Sequence, residues 1–153
     1  MKENWESTAL ISRLLSIVHP QLYEMAKASM EKLASREDFG ELVMYWQSVY
    51  NGCQVISNRD TPIHRDNNSQ AEWYDTLVTI GPYAGAEIEL PGVGLRFAYE
   101  TGTVFPLCRH ILRHGVLEGQ GDRVCIAYYM RENIQRRLDA KPAEWSSTDF
   151  YKS

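Results

Sequence analysis

At 153 residues the chain is long enough for one domain with a substantial core and leaves little room for two. Its 44% hydrophobic and 11% aromatic content excludes wholesale disorder, and no apolar run approaches the ~20 residues that span a bilayer. A net charge of −4 excludes a grip on nucleic acid through overall basicity, so any such contact has to come from a local patch.

The opening residues, Met1-Lys2-Glu3-Asn4-Trp5-Glu6, lack the charged-then-apolar pattern of a signal peptide. The three cysteines, Cys53, Cys108 and Cys125, are widely spaced and form no CxxC pair. Together these features predict a reducing, intracellular compartment and argue against a zinc ribbon. A single domain over 1–153 is expected, with residues 1–50 as helical support, 53–130 as a β core and 131–153 as a closing helix and tail.

The first third reads as helical. Ala9, Leu10, Leu14, Ile17 and Val18 recur at helical spacing, and His19-Pro20 ends that pattern and starts a second helix. His19 reads as a solvent-exposed cap. Leu22, Ala26, Met30 and Leu33 form the stripe of the second helix, and a shorter third helix is predicted over 36–46.

From Cys53 the texture changes to short β-branched and aromatic runs separated by Gly, Pro and Asn. The predicted strands are 54–57, 76–80, 86–90, 94–99, 103–108, 111–116 and 123–130. Strands of this number and spacing point to an antiparallel sandwich or jelly roll. A closing helix over 131–138 and a loop over 146–153 complete the chain.

The sharpest chemical feature is His64-Arg65-Asp66. In a strand, residues i and i+2 share a face, so the imidazole and the carboxylate can meet one metal ion. Two histidines and a carboxylate on one face of an octahedral iron leave three positions for substrates. A lone HxD is common by chance, so the second histidine decides. His110 and His114 lie ~13 Å apart if their stretch is extended, at ~3.3 Å per residue, so only one can join the site. If that stretch were helical the two would share a face, as in an HxxxH zinc site; Gly115 and β-branched neighbours favour a strand instead.

His114 is preferred because of the residues on its C-terminal side. A turn through Glu118-Gly119-Gln120-Gly121 predicts a hairpin that sets Val116 opposite Arg123 and His114 opposite Cys125. Arg123 would then enter the pocket, and a guanidinium in an apolar strand needs an anionic partner such as a dicarboxylate. The alternative is a surface salt bridge from Arg123 to Glu118 or Asp122.

His64-x-Asp66, His114 and Arg123 nine residues later resemble the signature of the iron(II)- and 2-oxoglutarate-dependent dioxygenases. The stretch 55–66, Glu72-Trp73-Tyr74-Asp75, Leu112-Arg113-His114-Gly115-Val116, Gly121-Asp122-Arg123 and Tyr128-Tyr129-Met130-Arg131 resemble the TET/JBP branch, which oxidises the methyl group of 5-methylcytosine or thymine. Among these the chain is similar to the short members that accompany transposons in mushroom-forming fungi.

The resemblance implies a double-stranded β-helix (jelly roll), α+β and mainly β, with N-terminal supporting helices. It implies Fe(II) held by His64, Asp66 and His114, and 2-oxoglutarate chelating that iron with its far carboxylate on Arg123. Dioxygen is the oxidant, and succinate and CO2 are released. It further implies DNA with a modified base as partner and a nuclear location.

Cys125 stands where many of the wider superfamily carry Ser or Thr, and Ser69 where animal TET proteins carry Asn. Asn58, Asn68 and Asp75 are candidates for reading a flipped base, with Tyr74 or Trp73 stacking on it, although Asn and Asp also favour turns and the aromatics suit a core. Arg59, Arg65, Arg109 and Arg113 are candidates for phosphate contacts. Competing functions are a dioxygenase of the same type acting on another methylated base, RNA, a protein or a small molecule, and a non-catalytic binding module.

Overall fold

The computed structural model describes residues 5–117 and 119–149, which divide into two compact units. One comprises Met1–Asn51, Glu72–Tyr74 and Met130–Ser153, and the other Gly52–Ala71 and Asp75–Tyr129. Among the described residues no helix is long and apolar enough to cross a membrane.

The first unit carries α1 (Trp5–Val18), α2 (Pro20–Ala34), α3 (Gly40–Trp46) and α4 (Glu132–Arg137). α1 buries Thr8, Ile11, Ser12 and Leu15, while Leu10 and Ile17 from the expected stripe are exposed. The apolar residues of α1 lie on more than one face, so spacing alone selected the wrong one. α2 buries Leu22, Met25, Ala26 and Ser29, sharing Leu22 and Ala26 with the expected stripe. α3 starts at Gly40, four residues later than expected, and buries none of its side chains. Lys32 donates to the carbonyls of Leu138 and Asp139 at 2.8 and 2.9 Å, which satisfies backbone acceptors just beyond α4. The expected loop at 146–153 lies partly outside the described residues.

His19 caps α2 but is fully buried, contrary to the exposed cap expected. Its Nδ1 accepts from the Leu22 N–H at 3.3 Å, so the proton of the neutral ring sits on Nε2 and is donated to the Glu72 carbonyl at 3.0 Å. One tautomer satisfies both partners, and a second proton would point at an N–H donor.

The second unit is all β. Its strands are β1 (Gly52–Ser57), β2 (Thr61–His64), β3 (Asp75–Ile80), β4 (Tyr83–Ala84), β5 (Glu87–Leu90), β6 (Leu95–Ala98), β7 (Val104–Leu107), β8 (His114–Leu117), β9 (Gln120–Gly121) and β10 (Val124–Tyr129). One antiparallel sheet has the order β1-β10-β3-β7 and another β2-β8-β5-β6, with β4-β9 as a separate two-stranded ladder. Leu77, Cys125 and Ala127 from the first sheet join Ile88, Leu90 and Val116 from the second in one buried cluster.

The expected double-stranded β-helix is not what forms. The fold is mixed α+β with two open antiparallel sheets, and among the described residues no ladder closes either sheet or joins the two. The predicted hairpin between the His114 and Arg123 strands is likewise absent, because β8 pairs with β2 and β5 while β10 pairs with β1 and β3. The chain leaves one sheet for the other through β9, whose Gly121 has φ +108° and lies so close to the Pro82 carbonyl that a Cβ would sit 2.3 Å from that oxygen.

Burial pushes the His19 pKa below its ordinary 6.5, so the fold binds the neutral ring. The resulting stability is complete above the unfolded value of 6.5 and is lost as pH falls from there toward the lowered folded value. His19→Ala should cost about 3 kcal/mol near neutral pH through the lost cap, the unpaired Glu72 carbonyl and the cavity. Denaturant midpoints at roughly pH 8 and pH 5 should show a smaller cost at the lower pH, where the wild type is already losing this contribution.

Candidate metal centre

His64 on β2 lies directly opposite His114 on β8. The two strands approach closely here because residue 115 is glycine; a Cβ on Gly115 would lie 2.9 Å from the Thr61 carbonyl oxygen. The two rings are 4.4 Å apart between centroids. Nδ1 of His64 lies 2.8 Å from the Pro62 carbonyl oxygen, and Nδ1 of His114 lies 2.9 Å from that of Leu112. A carbonyl only accepts, so each neutral ring carries its proton on Nδ1 and presents the Nε2 lone pair.

Asp66 reaches the histidines by another route than the expected shared strand face. β2 ends at His64, and Asp66 stands in the following loop, where its N–H donates to the Arg109 carbonyl at 3.0 Å. Its Oδ1 lies 3.4 Å from Nε2 of His64. The donor atoms of His64, Asp66 and His114 all lie within 4.8 Å of one another, close enough for one cation to meet all three. Two imidazoles, each with its Nδ1 set against a carbonyl, and one carboxylate fit a divalent iron bound on one face. Burial, helped by the nearby His64 and Arg109, pushes His114 from 6.5 down to about 4 against the pull of the Leu112 carbonyl. The ring is therefore neutral, the form that ligates.

The three donors line a cavity of about 390 Å³ together with Arg123 and Cys125. Arg123 is 6% exposed. Its Nη2 donates to the Arg59 carbonyl at 2.7 Å, and its guanidinium carbon lies 6.0 Å from the centre of the Tyr99 ring. No carboxylate among the described residues pairs with it. Asp122, one of the two surface partners weighed from sequence, instead accepts from Asn58 at 2.8 Å; Glu118, the other, lies outside the described residues. Among the described residues Arg123 thus has no counter-charge, and a buried guanidinium in that state attracts an anion, consistent with a dicarboxylate cosubstrate.

Residues 1–132 match the Tet_JBP family, the oxygenase domain of the 2OGFeDO superfamily. The chain belongs to that family. No curated protein matches it. Family membership and the His/Asp/His cluster together support a dioxygenase-type oxidoreductase role, and both are consistent with Fe(II) and 2-oxoglutarate as the cofactor set.

Within this oxygenase, Cys125 is buried beside Arg123 in the cavity lining, its Sγ 3.5 Å from the Tyr99 hydroxyl. Burial pushes the pKa of both groups up, so each keeps its proton. The base-reading candidates are dispersed. Asn58 holds Arg123 in place: its Oδ1 accepts from the Arg123 N–H at 2.7 Å, and its own N–H donates to the Arg123 carbonyl at 2.8 Å. Asp75 is 2% exposed at the start of β3 and faces Arg109. Tyr74 belongs to the helical unit, where it packs edge-on to His19. Asn68 is exposed on the loop after Asp66.

Arg59, Arg65 and Arg113 are exposed, but Arg109 is turned inward onto Asp66 and Asp75. Sequence reading offered Arg109 to phosphates and Asp75 to a base, and missed that each is the other's partner. The available signal was that both charges adjoin apolar strands, where a buried charge has to find its opposite.

Asn58 adopts φ +45°, a left-handed conformation that asparagine tolerates better than alanine. Asn58→Ala should lower stability by about 2–3 kcal/mol by combining that strain with an unpaired Arg123 N–H. Asn58→Gly should recover about 1 kcal/mol of the loss, the conformational part alone. Denaturant unfolding of the three proteins checks both figures.

Proposed function

We propose that this oxygenase oxidises the methyl group of a modified nucleobase, 5-methylcytosine in DNA, to its hydroxymethyl, formyl and carboxyl forms. The observation that carries the reading is one cavity lined by the three convergent donors and by a buried guanidinium that has no counter-charge among the described residues. His64, Asp66 and His114 would hold Fe(II), with the Pro62 and Leu112 carbonyls fixing the two rings. Arg123 would take the far carboxylate of 2-oxoglutarate, and Asn58 keeps its backbone in register. With O2, the bound cofactor set supplies the power to convert a methyl C–H to C–OH while 2-oxoglutarate becomes succinate and CO2.

Of the base-reading candidates, Asn68 is exposed on the loop after Asp66, whereas Asn58 and Asp75 are engaged with Arg123 and Arg109. Arg59, Arg65 and Arg113 are exposed beside or within the site segments and are the candidates for phosphate contacts that an acidic chain requires. The family match spans parts of both units, which supports reading residues 1–153 as one functional domain. The same motifs support kinship with the transposon-associated fungal members, and the proposed substrate places the protein in the nucleus.

The test is nucleoside mass spectrometry after aerobic incubation with Fe(II), 2-oxoglutarate and DNA containing 5-methylcytosine, with Asp66→Ala as the blank. Oxidised cytosine is expected above that blank, and Arg123→Ala should raise the KM for 2-oxoglutarate about 10- to 100-fold by removing a charge-assisted contact. Iron-loaded protein that turns over 2-oxoglutarate but leaves cytosine unchanged would move the substrate to RNA, protein or a small molecule. A protein that binds no iron would remove the reading altogether.

A further inference from the structure

We propose that Arg109 is a positioning residue for the metal centre: it restricts Asp66 to coordination through one oxygen, and Asp75 holds Arg109 in place. The inference rests on the iron-centre reading and adds residues to it. Asp66 lies beyond the end of β2, where no ladder fixes its direction. Arg109 provides that fix twice. Its carbonyl accepts the Asp66 N–H at 3.0 Å, and its Nη2 contacts Asp66 Oδ2. Nε of the same guanidinium lies 3.4 Å from Oδ2 of Asp75. Asp75 begins β3 opposite Leu107 of β7 and is 2% exposed, so the guanidinium is set against a buried residue of a paired strand.

The consequence is chemical. With Oδ2 held by the guanidinium, Oδ1 is the oxygen turned to His64, 3.4 Å from its Nε2. Held by two imidazoles and a single carboxylate oxygen, a divalent ion would keep three positions for the cosubstrate and O2. A carboxylate free to bind through both oxygens would take one of those three. The planar fork of arginine, which can serve two carboxylates at once, suits this role; the point charge of lysine does not.

Cobalt(II) titration of the metal-free protein, monitored by the visible bands of the bound ion, tests this without turnover, alongside thermal unfolding of the metal-free forms. Arg109→Lys should keep most of the unfolding temperature through its charge and stem yet weaken Co(II) binding about 10- to 100-fold. Asp75→Asn should shift binding in the same direction, and it carries the test if the lysine variant does not fold. Wild-type Co(II) affinity and spectrum in both variants, whatever their unfolding temperatures, would overturn the inference and leave the iron reading intact. A wild-type chain that binds no Co(II) would overturn both.

Discussion

A guanidinium taken out of water has to be met by oxygen atoms, and two arginines of the sheet unit impose that demand on everything around them. Arg109 meets it inside the protein, with Asp66 and Asp75 on either side. Arg123 meets it only in part, with one carbonyl and the Tyr99 ring. The difference divides their roles. A cation matched by carboxylates stiffens the site, whereas a cation short of charge among the described residues suits the anion-binding role proposed for Arg123. Asn58 makes the second arrangement durable, because three hydrogen bonds link it to Arg123 and Asp122 before any ligand arrives.

The histidines solve a related problem with hydrogen bonds to carbonyls. Each ring has one nitrogen tied to a carbonyl two residues before it, His64 to Pro62 and His114 to Leu112. That local bond settles the tautomer, so the opposite nitrogen of each ring is free to act as a ligand. Depression of the His114 pKa to about 4 keeps its lone pair available without help from a metal. His19 shows the same ring put to another use. Both its nitrogens are consumed by the helix cap and the Glu72 carbonyl, leaving none for a ligand. What separates the histidines of the candidate metal centre from His19 is one unspent nitrogen, and composition does not reveal it.

Much of the β unit was legible because its strands are bounded by local chemistry. Gly81-Pro82, Pro91-Gly92 and Thr101-Gly102 follow β3, β5 and β6, and six of the seven predicted strands match observed ones to within two residues, while the strand predicted from 111 begins at His114. β2 was not separated from its surroundings, and the stretch before His114 is a turn rather than a strand. Pairing partners were not legible. The hairpin inferred across Glu118 to Gly121 assumed that consecutive strands pair, but β9 pairs with β4 and carries the chain to the other sheet. The closed β-helix failed for the same reason, since closure depends on contacts far apart in the chain. The buried face of α1 was missed because its apolar residues are spread around the helix and burial selects among them.

His64, Asp66 and His114 come together despite these differences, and part of the reason lies in strand geometry. The direction a side chain takes from a strand alternates with period two, whichever strand lies alongside. His114 and Val116 therefore share one face of β8 with or without a hairpin, while Arg123 stands just before β10, its backbone held by Asn58, and Cys125 follows inside that strand. Once the two sheets bury their apolar faces in one core, both sets line the same cavity. Asp66 has no such protection, because it stands in a loop where parity has no meaning. Its direction is set by Arg109, the residue whose role depended most on knowing the fold.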